Sequence, residues 1–147
     1  MKIESQVCSL EPAQKLKELG VKQESLYFWV EKVEQVGKKY EYEWILSHNK
    51  TGDGHSYAEW GIPAFTSAEL GELLPSGMPG NNNIEGTTLH IARRYGGGWI
   101  CGYSVHHTSH SSEHPHTKWL HYECADTIAD AMAKMLIYLI ENKLITI

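Results

Sequence analysis

The sequence predicts an α+β fold: an antiparallel sheet of about five strands with helices packed on one face of it. Three segments carry apolar residues at helical spacing beside good capping residues, and five shorter segments have the composition of strands. The strands and helices do not alternate in the long, regular way that a parallel, doubly wound sheet requires. We therefore expect the element order α-β-β-α-β-β-β-α.

The length and composition fit one domain that covers residues 1–147. The chain has 147 residues, of which 41% are hydrophobic, so it can bury a normal core without disulfides. No apolar run approaches the roughly 18 residues that a membrane helix requires. The charged start is not followed by the apolar stretch of a signal peptide. We expect a cytoplasmic protein without a membrane partner.

Capping residues delimit the first two helices. Ser9 is a good N-cap for a first helix that ends at Gly20, because glycine readily adopts the positive φ that follows a helix end. Thr66, with Glu69 three residues later, forms the capping box of a second helix. Pro75 ends this second helix, because proline cannot continue the hydrogen-bonding pattern.

The third helix has the strongest pattern of the three. It is predicted over residues 127–142, and Asp126 or Thr127 caps it. We expect its two central methionines to fill the core rather than to hold a cofactor. The apolar stripe of this helix consists of Ile128, Met132, Met135, Leu136, Leu139 and Ile140.

The first two strands are predicted at residues 25–33 and 40–46, with a turn at Gly37. In the second strand, two tyrosines, Trp44 and Leu46 alternate with two glutamates. Strict alternation is typical of an antiparallel strand with one buried face and one face in water.

Three further strands are predicted at residues 87–95, 99–105 and 118–124. The three glycines at 96–98 predict a tight hairpin turn, because glycine reaches the positive φ angles that such turns need. A run rich in serine and histidine, residues 106–117, joins the last two strands. The remaining connectors are expected to be a long exposed loop and a flexible segment, residues 48–63 and 75–86.

The charge distribution argues against duplex nucleic acid as a partner. The formal net charge is −5, and the only arginines are Arg93 and Arg94. Binding to duplex DNA depends on clustered basic residues that displace counterions, and such a cluster is missing. The three cysteines, Cys8, Cys101 and Cys124, form no CxxC motif, which favours reduced thiols in the core.

Six of the nine histidines lie between residues 106 and 121. Imidazole is the commonest metal ligand, so His110 with His114, or His114 with His116, could share a zinc ion. The spacing matches no zinc motif, so a solvated hairpin loop is the main alternative, and a pH-responsive or ligand-gripping loop is another. The cluster comprises His106, His107, His110, His114, His116 and His121.

A second candidate site lies around Arg93 and Arg94. Guanidinium groups suit phosphate, the glycines at 96–98 offer backbone amides, and Tyr95 or Trp99 could stack on a base. The segment matches neither a P-loop nor a dinucleotide-binding fingerprint. Neighbouring strand residues face opposite ways, so at most one arginine would face a given ligand. The alternative is an ordinary glycine turn with two solvated arginines.

The predicted ligand surface also draws on two connectors, residues 48–60 and 106–116. Trp60 stands in the first of these loops, where a tryptophan either folds back as a lid or contacts a partner. We expect His106 and His107 at the start of the second connector to contribute to ligand binding.

Catalytic patterns are scarce. Cys101 with His106 or His121 could act as nucleophile and base, but a buried structural cysteine is the simpler reading. Asp53 and His55 could form an acid–base pair, and a turn explains them equally well.

Three segments resemble small uncharacterised proteins of phages and prophages. They are CSLEPAQKLKELGVKQESL at residues 8–26, PAFTSAELGELLP at residues 63–75 and ADAMAKMLIYLIEN at residues 129–142. These matches fall mainly on predicted helices and carry no established activity. The resemblance implies an accessory protein that acts in the cytoplasm of a bacterial host.

The combined expectation is a non-enzymatic accessory protein without a resident cofactor. It would bind a host protein or sequester a small, nucleotide-like anion, for instance to counter host defence. The alternatives are a metal-dependent hydrolase that uses the histidine cluster and a structural or assembly protein. A homo-oligomer is compatible with all three.

Overall fold

The computed structural model describes residues 2–48, 61–78, 87–107 and 116–147, with backbone only at 106–107 and 116–117. It confirms an α+β fold. A 3-10 turn at Ile3–Ser5 precedes three helices, α1 (Leu10–Glu18), α2 (Ser67–Leu73) and α3 (Ile128–Glu141). The strands are β1 (Phe28–Val36), β2 (Lys39–Ser47), β3 (Ile62–Pro63), β4 (Thr87–Arg93), β5 (Trp99–His107) and β6 (His116–Ala125).

The strands form two antiparallel sheets of three, so the prediction of one sheet of about five strands is wrong. The first sheet has the order β2-β1-β3 and the second the order β4-β5-β6. In each sheet the three strands come from one continuous part of the chain. β3, which supplies that strand in the first sheet, lies in the segment that the sequence suggests is a loop.

Helix α3 is the centre of the core. It packs against β5 and β6 on one side and also contacts α1 and α2. Both of its methionines are buried, as predicted. Strand β5 turns Cys101 and Tyr103 into the same core, and the Tyr103 hydroxyl donates a hydrogen bond to the Pro75 carbonyl at 2.7 Å. The buried residues of α3 are Ala129, Ala131, Met132, Ala133, Met135, Leu136 and Leu139.

The N-terminal segment is tied to α3 through Asp130. The Ser9 amide and hydroxyl both donate to Asp130 Oδ1, at 2.7 and 2.9 Å. Ser9 precedes α1 as predicted, but its side chain makes no capping hydrogen bond to that helix and instead donates to Asp130. Thr127 caps α3 by accepting from the Asp130 amide at 3.0 Å.

The β1–β2 hairpin extends beyond the core as an arm, which we define as residues 31–43. Every residue of the arm is exposed, including Tyr40 at 61% and Tyr42 at 64%. The expectation that one face of β2 is buried is therefore wrong: its side chains are exposed as far as Glu43 and half-buried from Trp44 to Ser47. The buried side chains at the base of the hairpin belong to β1. There Phe28 and Val30 are buried, and Trp29 Nε1 donates to the Cys8 carbonyl at 3.0 Å.

None of the described helices is both long and apolar enough to cross a membrane.

Candidate ligand-binding site

Arg94 lies between two cavities at the end of the second sheet. The helix-side groove, about 730 Å³, runs between α1, the N-terminal half of α3 and the β4–β5 turn. The sheet-side recess, about 320 Å³, is smaller and mainly apolar in its side chains. Arg94 and Cys124 line both cavities. The recess is completed by Ile100, Trp119 and Tyr122.

The glycine turn fixes the backbone of Arg94. Gly96, Gly97 and Gly98 have φ values of 93°, 110° and 79°, which side-chain-bearing residues rarely adopt. The Arg94 amide donates to the Gly98 carbonyl, and the Gly97 amide donates to the Arg94 carbonyl, both at 3.1 Å. A Cβ at Gly98 would lie 2.8 Å from the Ala125 carbonyl oxygen. The turn is therefore held tightly against the end of β6.

The pairing of β5 with β6 builds the recess. Ile100 pairs with Cys124 and Gly102 with Tyr122, so these four residues share one face of the sheet. A Cβ at Gly102 would come within 2.6 Å of the Tyr122 Cβ, so only glycine allows this close approach.

Aromatic rings continue along the same face. Trp119 and Tyr122 meet edge to face, with their centroids 5.8 Å apart at 66°. His90 meets Trp119 in a similar way, at 6.0 Å and 75°. Tyr122 is 52% exposed, so part of its ring remains accessible to a ligand. A flat group can stack on such a surface.

The three cations of the helix-side groove differ in their ion pairs and hydrogen bonds. Lys15 Nζ lies 3.0 Å from a Glu141 oxygen, and this hydrogen bond and charge raise the pKa of Lys15. Lys134 Nζ donates to the Cys124 carbonyl at 3.3 Å. Among the described residues, no carboxylate lies within 4 Å of the Arg94 guanidinium. Arg94 is therefore available to an anionic ligand.

The charge of the groove as a whole is mixed. Its carboxylates are Glu11, Glu18, Asp126 and Asp130, and its cations are Lys15, Lys134 and Arg94. Because carboxylates outnumber cations, the groove as a whole is unsuited to an extended polyanion, and the place for an anion is limited to the neighbourhood of Arg94.

The structure separates the predicted ligand-binding residues. The Arg93 guanidinium lies over the Trp99 ring, 5.2 Å from its centroid, and Tyr95 is fully exposed. Only Arg94 of this group lines the two cavities. Trp119 and Tyr122, which line the recess together with Arg94, are not among the predicted site residues.

His106 and His107, which are predicted to contribute to ligand binding, lie at the other end of the second sheet. His106 is seven residues along β5 from Trp99, which in an extended strand is about 23 Å. His107 pairs with His116, which is the last described pair of the β5–β6 hairpin. Trp60 lies outside the described residues.

The predicted metal ligands cannot be placed as a group. His110 and His114 lie outside the described residues, as do Asp53 and His55, and His116 is described by its backbone alone. Among the side chains that are described, no three histidine, cysteine, aspartate or glutamate residues converge on a metal site.

The Cys101 side chain is a buried, protonated thiol and not an activated thiolate. Burial raises the pKa of Cys101, and also that of Cys8, to about 12. The nucleophile in thiol chemistry is the thiolate, so a thiol with this pKa is inert at neutral pH. His121 is engaged elsewhere: its ring stacks on Tyr138 at 3.4 Å, and its Nε2 lies 2.8 Å from a Glu123 oxygen.

No protein-family model, no curated protein and no solved structure matches this chain.

Proposed function

We propose that this protein binds a small anionic molecule with a flat aromatic group, such as a nucleotide, at Arg94. The observation that supports the proposal is the recess that Arg94 lines together with Trp119 and Tyr122. An aromatic surface beside a guanidinium suits a base that stacks and a phosphate that accepts hydrogen bonds.

We infer that the two parts of the ligand occupy different cavities. The recess, at about 320 Å³, would take the flat group. The phosphate would lie at the mouth of the groove, between Arg94 and Lys134, which both line it. Among the described residues, the Lys134 ammonium donates one hydrogen bond, to the Cys124 carbonyl, which leaves two further donors for an anion.

In this proposal the protein retains the ligand and does not convert it. The buried thiols of Cys8 and Cys101 are protonated at neutral pH, which argues against these two cysteines as nucleophiles. Sequestration fits the resemblance to accessory phage proteins, which remains a prediction. A protein that withholds a signalling nucleotide from its host would need a site of this kind and no catalyst.

Calorimetric titration of the purified protein with nucleoside monophosphates and cyclic dinucleotides tests the proposal. We expect at least one of them to bind, and Arg94→Ala to weaken it by about tenfold to a hundredfold. That range corresponds to a charged hydrogen bond worth about 1.5–3 kcal/mol. Arg93→Ala is the matched control, because it removes the same charge one residue away, where the guanidinium lies over Trp99.

A second variant tests the aromatic part. Tyr122→Leu keeps an apolar side chain but removes the ring, so it should weaken a nucleotide and leave inorganic phosphate unaffected. The proposal is wrong if none of these nucleotides binds, or if Arg93→Ala weakens binding as much as Arg94→Ala.

A further inference from the structure

We propose that two copies of this chain pair edge to edge through β1, about a two-fold axis at Val33. The starting point is the second edge of β1, the one that does not face β2. β2 pairs with the whole of β1 on one side, whereas β3 covers the other side only at Phe28 and Trp29. Within the described residues, no strand pairs with the second edge of β1 from Val30 to Val36.

The backbone of this edge is set up for pairing. The arm turns through two residues, with a positive φ of 65° at Gly37, and Val36 and Lys39 form its closing pair. In such a hairpin the closing pair exchanges hydrogen bonds, and every second pair after it does the same. The intervening residues therefore direct their amides and carbonyls to the second edge: Glu31, Val33 and Gln35.

The side chains of the edge are complementary to their own copy. When two β1 strands run antiparallel about Val33, Lys32 of each lies opposite Glu34 of the other. Val30 then faces Val36, and Glu31 faces Gln35, so no like charges lie directly opposite each other across the axis. Edge strands often carry charges that prevent pairing. Here the charges are arranged so that a second copy fits.

The second copy would also relieve a repulsion within the arm. Glu34 is paired with Glu41 of β2, and like charges directly opposite each other destabilise a sheet. In the single chain Lys32 of the same strand forms an ion pair with Glu34, and this raises the pKa of Lys32 and lowers that of Glu34. In the dimer, Lys32 of the second copy would lie on the other side of Glu34.

The opposite face of the arm would become a continuous apolar strip. Val33 pairs with Tyr42 within the chain, and both are exposed, at 39% and 64%. Across the axis the two valines meet, so Tyr42, Val33, and their counterparts would form one row over four strands. A two-stranded hairpin alone is marginal in water, and four strands with an apolar row are more stable.

The inference is independent of the Arg94 site. Arg94 lines cavities formed by α1, α3 and the second sheet, and none of the arm residues lines them. Nucleotide binding and dimer formation can therefore succeed or fail separately.

Sedimentation equilibrium over a wide concentration range measures the association. We expect the wild-type chain to reach the mass of a dimer. Lys32→Glu and Glu34→Lys should each weaken the dimer by at least tenfold, because each places like charges opposite one another at two positions. An equimolar mixture of the two variants should restore it. One chain then presents two carboxylates and the other two ammonium groups at these positions.

Restoration by mixing is decisive, because damage to the fold of either variant could not be repaired by the other. Lys39→Glu is the control, since Lys39 lies on β2, away from the proposed axis. A wild-type chain that stays monomeric at the highest concentration overturns the inference. So does a dimer that both single variants leave intact, or one that only Lys39→Glu dissociates, which would assign the contact to β2.

Discussion

At the scale of single residues, a glycine decides how closely β5 and β6 approach. A Cβ at Gly102 would lie 2.6 Å from the His121 carbonyl oxygen, 2.6 Å from the Tyr122 Cβ and 2.8 Å from the Tyr122 Cα. These atoms belong to the backbone or lie next to it, so they cannot move aside as the end of a long side chain could. The close approach places Tyr122 over the strand, in the wall of the recess.

We therefore expect Gly102→Ala to lower the free energy of unfolding by about 1–3 kcal/mol, the usual cost of overpacking. It should also weaken any nucleotide bound in the recess, because Tyr122 must shift. Urea denaturation and calorimetric titration measure the two effects.

Gly71→Ala is the control for Gly102→Ala. In α2, a Cβ at Gly71 would make only an ordinary contact of 3.5 Å with Met132, and alanine favours a helix. This variant should be as stable as the wild type or more so. Equal destabilisation by both substitutions would contradict the packing argument.

The sequence predicts part of the candidate site at this scale. Alternation along a strand predicts that at most one of Arg93 and Arg94 faces a given ligand. In the structure Arg94 lies just beyond the end of β4, and of the two arginines only Arg94 lines the two described cavities. The sequence alone does not show that Trp119 and Tyr122 line the recess beside Arg94. They come from β6, and their position depends on the register with β5, which includes a bulge between Tyr103 and Ser104.

At the scale of elements, Glu69 joins α2 to the segment before β1. One of its oxygens accepts from the Thr66 amide at 2.6 Å and from the Ser25 hydroxyl at 3.1 Å. The other accepts from the Leu26 amide at 2.9 Å. The Thr66 hydroxyl completes the capping box by accepting from the Glu69 amide at 3.2 Å.

We expect Glu69→Ala to destabilise the protein by about 2 kcal/mol or more, because it removes three hydrogen bonds to a charged acceptor. Glu72→Ala, an exposed position on the same helix, should change the stability by less than about 0.5 kcal/mol. Urea denaturation of both variants measures these two changes in the free energy of unfolding. Equal losses would mean that the capping box contributes little.

The elements themselves follow largely from the sequence, because caps, turns and alternation are local signals. The capping box at Thr66, the positive φ of Gly20 and the glycine turn are all confirmed. Strand β3 could not be predicted, since two residues are too few for a pattern. The pairing of strands could not be predicted either, because it depends on contacts between distant segments.

At the scale of the whole molecule, burial of two thiols couples stability to alkaline pH. Cys8 and Cys101 hold their protons to about pH 12 in the folded state, whereas an unfolded thiol loses its proton near 9.0. The folded state then binds more protons than the unfolded state. The stability linked to this difference is complete below pH 9 and is lost as the pH rises towards 12.

We therefore expect the free energy of unfolding to fall above pH 9, by up to about 1.4 kcal/mol per pH unit for each thiol. Urea denaturation at about pH 7, 9 and 10 measures the slope. In Cys8→Ala the protein should be less stable at pH 7 but lose less stability on going to pH 10. A slope that Cys8→Ala leaves unchanged would show that this thiol does not control the alkaline transition.

The central position of α3 has a consequence for the nascent chain. Helices α1 and α2 precede it in the sequence, yet both pack on it, and Ser9 finds its acceptor in Asp130. While the ribosome is still translating the second sheet, α1 can pack on β3, but both early helices still lack the face of α3 that they contact in the folded protein. Folding of the core must wait until α3 has emerged, and until then the growing chain should be a substrate for chaperones.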